Sequence, residues 1–154
     1  MLPADYIGDK PLFLICSMNT PESQTTQHIE RLNSPAFSRL GLPFSEIVRM
    51  GDTLYLSGQM GTLPGTLTLA PGGMQAQAQQ TMENIKSTLE AHGYSMDHIV
   101  KCTVMLADMK DWPAFNEIYK RFFTAPYPAR SAFGANGLAM GGQLEIDVIA
   151  SARR

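Results

Sequence analysis

Features that would identify a protein class at once are scarce in this sequence. Its 154 residues include only two cysteines, Cys16 and Cys102, which are too few for a disulfide framework and form no CxxC pair. The three histidines show none of the spacings of a metal site, and we predict that His92 and His98 lie on the surface. We therefore predict no metal ion, and we expect the protein in the cytoplasm because no feature requires an oxidising compartment.

Long apolar runs are missing too. The patch from Leu12 to Cys16 is shorter than the roughly 7–15 residues of a secretory signal core, and no run approaches the roughly 20 residues of a membrane helix. We therefore predict no membrane association. The polar segment that begins at Met18 is typical of a natural N-terminus, so we interpret residues 1–28 as an extension, with Met18 as a candidate true start. Residues 29–154 are then one domain.

An excess of positive charge is also absent. Lysine and arginine number 12 against 14 acidic residues, which gives a net charge of −2 and a sequence pI near 5.9. Nucleic-acid binding usually requires a basic patch or stripe, so we expect no nucleic-acid partner. The glycine motifs of nucleotide sites and the GxSxG motif of serine hydrolases are missing as well.

The sequence does contain clear strand and helix patterns. The segment FSEIVRMGDTLYLSGQMG predicts a hairpin, with strands near Ser45–Arg49 and Thr53–Gly58 and a turn at residues 50–52. In the glycine- and proline-rich loop that follows, a short strand is predicted near Thr66–Leu69.

Apolar residues at 3.6-residue spacing predict two helices. The first lies in MQAQAQQTMENIKSTLEAHG and ends at Gly93. The second lies in DWPAFNEIYKRFF, with Asp111 as its N-cap and Pro113 in its first turn. Their apolar faces comprise Ala78, Met82, Ile85 and Leu89 in the first and Trp112, Phe115, Tyr119 and Phe122 in the second.

Three further strands complete the fold prediction. IVKCTVML alternates, one begins near Arg130, and QLEIDVIA is the last. Because two helices can cover only one face of a five- to six-stranded mixed sheet, we predict an α+β sandwich. The first of these strands has an inner face of Val100, Cys102, Val104 and Leu106. The opposite sheet face is predicted to be partly apolar and covered by further copies of the chain, because three apolar residues are out of phase: Met105, Phe133 and Ile149.

Two isolated, opposite charges occur in the apolar run YPARSAFGANGLAMGGQLEIDVIA. Arg130 could bind a carboxylate through its planar fork, and Glu145 could hold or deprotonate a water. Both could instead be exposed or salt-bridged surface residues, and Ser57 at a strand end could be purely structural. Adjacent antiparallel strands could bring Arg130 and Glu145 together, but the spacing of the two residues alone does not show that they do.

Taken together, these segments resemble the Rid/YjgF family of reactive-intermediate deaminases, many of which carry the label endoribonuclease L-PSP. The resemblance runs from about Ser34 to Ala150 and rests on SGQMG, on the segment from ENIKSTLEAHG to NEIYKRFF, and on YPARS and LEIDVIA. It implies a chorismate-mutase-like α+β sandwich. It also implies a homotrimer whose sheets meet in a central barrel, with sites in the clefts between subunits.

The resemblance also implies a function. The best-known activity of the family is hydrolysis of 2-imino or 2-enamino acids to 2-keto acids and ammonium, without a cofactor. By resemblance, Arg130 binds the carboxylate of a small 2-imino or 2-keto acid and Glu145 positions the water. Ser57, Gly58 and Asn116 match positions that line the pocket of the family.

The sequence departs from the family pattern around this pocket. Phe44 stands where a tyrosine of the site is frequent, and Glu46 replaces a glutamine. Ala132 and Phe133 replace a cysteine and a valine, and Asn136 is also unusual. Because the Arg–Glu pair is kept, we expect these changes to alter substrate preference more than the type of reaction.

Two other functions are considered. A non-catalytic, small-carboxylate-binding regulatory trimer would use Arg130 but would not need Glu145 for turnover. An endoribonuclease or translation inhibitor, as the older family label implies, is disfavoured by the acidic pI and by the lack of a basic stripe or a histidine acid–base pair.

Overall fold

The computed structural model describes residues 28–153, so the candidate start at Met18 lies outside the described residues, as does nearly all of the predicted extension. None of the helices in this part of the chain is long and apolar enough to cross a lipid bilayer. The strands and helices are, in order, β1 (Ile29–Leu32), α1 (Pro35–Ser38), β2 (Ile47–Met50), β3 (Thr53–Met60), α2 (Gly73–Ala91), β4 (Ile99–Leu106), α3 (Trp112–Tyr119), β5 (Ala129–Gly134) and β6 (Leu144–Ser151).

The six strands form one mixed sheet in the order β1-β2-β3-β6-β4-β5. Neighbouring strands are antiparallel except β4 and β5, which run parallel. A parallel pair needs a crossover connection, and α3 provides it here. The predicted α+β sandwich with a mixed sheet is therefore confirmed.

The core lies between one face of this sheet and helices α2 and α3. All four predicted apolar residues of α2 are fully buried, and Phe115 and Tyr119 of α3 are buried with them. Trp112 and Phe122 pack against the edge of the same cluster, and Cys102 is a core residue as predicted. The helix-facing residues of β6 also alternate as predicted: Leu144, Ile146, Val148 and Ala150.

The hairpin is also confirmed, whereas the sixth strand is not the predicted one. Gly51 has a φ of 59° and begins the two-residue turn between β2 and β3, a position where glycine is favoured. At Thr66–Leu69 only an isolated bridge forms, between Thr62 and Leu69. Most of this loop is exposed, and Leu67, which would share a strand face with Leu69, is 48% exposed. The sixth strand is instead β1, which pairs with β2.

Two local predictions about side chains fail because the backbone is irregular at these points. The pairing of β4 with β6 is irregular between Ile99 and Lys101, so Ile99 is buried and Val100 is 53% exposed. Asp111 occupies the N-cap position of α3 as predicted, but its side chain makes no capping hydrogen bond, because the chain enters α3 from a 3₁₀ turn and Asp111 is already helical. Asp108 caps that turn instead by accepting from the Lys110 N–H at 2.9 Å. The end of α2 agrees with the sequence, since Gly93 has a φ of 82°.

A buried carboxylate joins the end of α2 to the start of β2. The Glu46 side chain accepts a hydrogen bond from the Ser34 N–H at 2.7 Å and one from the Thr88 hydroxyl at 3.3 Å, and it lies 3.0 Å from His92 Nε2. The His92 side chain is only 12% exposed, so the surface prediction is wrong for it. It is wrong for His98 too, whose half-buried ring accepts the Ser95 N–H at 3.1 Å.

The opposite face of the sheet is mixed in character. Tyr55 and Phe133 are 42% and 49% exposed there, beside partly buried Met105 and Ile149. Threonine, lysine and aspartate side chains lie between them, so the face is partly apolar, as predicted. The homotrimer with a central barrel stays a prediction.

Replacing Glu46 by alanine removes the hydrogen-bond acceptor for the Ser34 N–H and the Thr88 hydroxyl. Hydrogen bonds to charged groups contribute about 1.5–3 kcal/mol each, so we expect the free energy of unfolding to fall by about 3 kcal/mol in urea denaturation. Glu83→Ala on the more accessible side of α2 is the matched control and should change it by less than about 0.5 kcal/mol. An unchanged urea midpoint for Glu46→Ala would contradict this role.

Candidate functional site

Arg130 faces the helices and lies against one face of α3. It pairs in register with Cys102, which is buried on the helix side, and its Nη2 donates to Asn116 Oδ1 at 2.8 Å. Its Cζ lies 4.4 Å from the ring centroid of Trp112 and 4.5 Å from that of Tyr119. We call these four residues, Arg130, Asn116, Trp112 and Tyr119, the arginine cluster.

The charge of Arg130 has no carboxylate partner within residues 28–153, where none lies within 4.0 Å of it. Two aromatic faces and one amide oxygen surround it instead. Burial raises the pKa of Cys102 and of Tyr119, and the nearby positive charge opposes this only in part, so both stay neutral. Beside the guanidinium is a cavity of about 230 Å³ lined by Asn116, Tyr119, Lys120, Tyr127, Pro128 and Arg130. An anionic ligand there would meet an uncompensated cation.

Glu145 lies near the start of β6 and alternates with the buried Leu144 and Ile146, so it faces the open side of the sheet. Its carboxyl group occupies the space over Gly58, where a Cβ would come within 2.9 Å of the Glu145 carboxyl carbon. Gly58 and Ser57 form a bulge in β3, because the pairing with β6 shifts between Leu56 and Gln59. The bulge and the missing side chain together make room for the carboxylate.

Ser57 and Phe44 are placed less directly. The Ser57 hydroxyl donates to the Ser45 carbonyl at 2.6 Å. Its proton is therefore used in holding β3 to the segment before β2 and is not free for a ligand. Phe44 is 48% exposed and packs edge-on against Phe37 with the ring centroids 5.7 Å apart.

The predicted site residues therefore form two groups in one chain. Asn116 joins Arg130, and Gly58 joins Glu145. Strand β4 separates the two groups, and they lie on opposite faces of the sheet. The possibility that adjacent antiparallel strands bring Arg130 and Glu145 together, which the sequence left open, is not realised within a single chain, because the α3 crossover places β5 outside β4.

The altered family positions are dispersed in the same way. Ala132 packs against the core, whereas Phe133 lies on the open face. Asn136 is exposed in the loop between β5 and β6, and Phe44 precedes β2. Within one chain these four residues do not form a single altered pocket wall.

Comparison with known proteins identifies the family. Residues 38–152 match the model of the family described as Endoribonuclease L-PSP. The chain belongs to this family. It is 42% identical over 108 residues to the 2-iminobutanoate/2-iminopropanoate deaminase of Capra hircus. The aligned region covers 70% of this chain and 79% of that protein.

Solved structures agree with this assignment. The chain is similar to RidA from the Antarctic bacterium Psychrobacter sp. PAMC 21119, with a TM-score of 0.69 and 36% identity over 83% of this chain and 99% of that one. It is also similar to E. coli TdcF with bound serine, with a TM-score of 0.66 and 36% identity over 71% of this chain and 88% of that one. The predicted membership of the Rid/YjgF family is confirmed.

Some residues at the arginine cluster are missed by reasoning from sequence. Trp112 and Tyr119 are predicted only as core residues, and Tyr127 is assigned no role, although it lines the cavity. A signal for the first two exists, since Trp112, Asn116 and Tyr119 are spaced i, i+4 and i+7 and share one helix face. No group of three or more potential metal-binding side chains occurs in the part of the chain that the structure describes.

The pKa of Glu145 is raised, first by burial and then by the negative charge of Asp147 two residues along β6. Replacing Asp147 by asparagine removes that charge, so we expect the pKa of Glu145 to fall towards its ordinary value of about 4.3. The measurement is an NMR titration of the Glu145 carboxyl carbon. Asp52→Asn, at the hairpin turn, is the control and should leave this pKa unchanged, whereas a rise in Asp147→Asn would contradict the assignment.

Proposed function

We propose that this chain is a hydrolytic deaminase that converts reactive 2-imino or 2-enamino acids to 2-keto acids and ammonium. The observation that carries the proposal is Arg130, a partly buried cation beside a cavity with no carboxylate of the described residues paired to it. The deaminase name of the goat relative gives independent support. Serine bound to TdcF is consistent with a small ligand that carries a carboxylate.

In the proposed complex, the guanidinium of Arg130 binds the substrate carboxylate. One N–H group is already used by Asn116, and the remaining N–H groups can bind both carboxylate oxygens. The carbon next to the carboxylate is the electrophilic C=N carbon, so anchoring one end fixes the position of the other. A cavity of about 230 Å³ favours small substrates, and Phe44 and Phe133 are the candidates for a changed side-chain preference.

Glu145 acts on the water in this proposal. Its raised pKa makes it a better proton acceptor than an ordinary carboxylate. Water oxygen adds to the carbon of the protonated imine while one water proton passes to Glu145, which gives a 2-amino-2-hydroxy acid. Return of that proton to the nitrogen makes it a leaving group. The C–N bond then breaks as the hydroxyl oxygen forms the C=O bond, and the hydroxyl proton passes to the released ammonia, so the products are the 2-keto acid and ammonium. An enamine enters the same route after its carbon is protonated to form the imine.

The site is proposed to form between copies of the chain in a homotrimer. Within one chain, Arg130 and Glu145 lie on opposite faces of the sheet and on either side of β4. A second copy that contributes Glu145 and Gly58 to the Arg130 cavity would complete the machinery. The partly apolar open face, with Tyr55 and Phe133, supports such an assembly.

Arg130→Ala tests the carboxylate contact. Charge-assisted hydrogen bonds contribute about 1.5–3 kcal/mol, so we expect kcat/KM to fall roughly ten- to a hundredfold. The assay couples a serine or threonine dehydratase to the protein and follows loss of the imine. Arg130→Lys keeps the charge but not the fork, and its activity should be intermediate. Wild-type activity in Arg130→Ala would contradict the proposal.

Mixing two inactive variants tests the shared site. The Arg130→Ala and Glu145→Gln proteins are mixed in equal amounts, unfolded together and then refolded. If each site takes one group from each of two copies, random assembly should give about a quarter of the sites both native groups, and activity should return to that extent. Each variant refolded alone is the control. No gain on mixing would contradict a site between copies. Full activity of Glu145→Gln alone would contradict the role of Glu145. Binding of 2-ketobutyrate without any imine hydrolysis by the wild-type protein would instead favour the non-catalytic carboxylate binder.

A further inference from the structure

Helix α3 holds Arg130 in place through two aromatic rings. Trp112 and Tyr119 are seven residues apart on one helix face, and Asn116 lies between them. The guanidinium carbon is almost equally far from the two rings, 4.4 Å from the Trp112 centroid and 4.5 Å from the Tyr119 centroid. Both distances are well within the roughly 6 Å at which a cation is attracted to an aromatic face.

We propose that Trp112 and Tyr119 are positioning residues that orient the Arg130 fork for its carboxylate ligand. This inference rests on the proposed function of Arg130 as the carboxylate anchor. The two rings restrict where the guanidinium can move, and Asn116 Oδ1 fixes one of its nitrogens at 2.8 Å. The other N–H groups are then available in one orientation, so less side-chain freedom is lost when the ligand binds.

The two rings differ in what else they support. Tyr119 is 2% exposed and also contacts Phe115 and Phe123, so removing its ring would disturb the core. Trp112 is only partly buried at the edge of the core and can be changed with less damage. The buried Tyr119 hydroxyl lies beside the Cys102 thiol, whereas the face of the Tyr119 ring lies against Arg130.

The test uses 2-ketobutyrate as the probe and measures its Kd by calorimetry. Trp112→Leu keeps an apolar side chain but removes the ring, and we expect Kd to rise about three- to thirtyfold. Trp112→Phe restores an aromatic face and should recover most of the affinity. Phe122→Leu changes another partly buried aromatic residue next to α3 that does not stack on Arg130, and it should leave Kd unchanged. Equal affinity in Trp112→Leu and wild type, or equal losses in Trp112→Leu and Phe122→Leu, would overturn the inference.

A second measurement needs no substitution in the cluster. Trp112 is the only tryptophan of the chain, so its fluorescence reports directly on the ring beside Arg130. Binding of 2-ketobutyrate should change this emission in wild type and not in Arg130→Ala, after correction for absorption by the ligand. Binding detected by calorimetry with unchanged emission would overturn the inference even if Trp112→Leu fails to fold.

The outcomes separate this inference from the proposed function. Imine hydrolysis with an unchanged KM in Trp112→Leu would contradict the positioning role and leave the deaminase intact. Binding that depends on Trp112 without any imine hydrolysis would support the positioning role and contradict the deaminase. If the two rings act on binding alone, the change appears in KM, and kcat stays within about threefold of wild type.

Discussion

Helices α2 and α3 pack on one face of a six-stranded sheet, and this one-sided packing determines where each side chain points. Successive residues of a strand alternate between faces, so the phase of a residue relative to the core decides its surroundings. Arg130 shares its face with Cys102 and meets α3, whereas Glu145 alternates with Leu144 and Ile146 and meets the open side. The same packing that forms the core therefore separates the two charges.

Loss of water acts differently on these two charges. An arginine stays protonated in any protein environment, so the structure stabilises it with aromatic faces and an amide oxygen. A carboxylate can take up a proton instead, and burial beside Asp147 moves Glu145 in that direction. One group is thereby suited to hold a fixed charge and the other to exchange a proton.

The periodic features of the fold could be predicted from the sequence, because burial imposes a period of two on strands and of 3.6 on helices. The faces of α2 and β6 follow from this, and the turn at Gly51 follows from the positive φ that glycine adopts readily. Local backbone irregularities are not encoded in such patterns, so the bulge at Val100 and the 3₁₀ turn before Asp111 were missed. Long-range partners were missed as well: the burial of His92 depends on Glu46, which lies 46 residues earlier in the chain.

The candidate site was predictable residue by residue but not as an arrangement. Arg130 and Glu145 are recognisable as isolated charges in an apolar run, and the family resemblance implies the roles proposed for them. Their separation depends on strand order, which spacing along the chain does not determine. The contact of Arg130 with Trp112 and Tyr119 depends in turn on the α3 crossover that places β5 beside β4.

Gly58 and the Glu145 carboxyl group share one small volume, since a Cβ at position 58 would overlap that carboxyl group. The two positions are 87 residues apart in the chain, yet a side chain at position 58 would force the Glu145 carboxyl group to move. A carboxyl group kept in this place therefore requires glycine at position 58, and in an alignment of homologues the two residues should occur together. A residue other than glycine at position 58 would then identify members of the family in which the carboxyl group is absent or lies elsewhere.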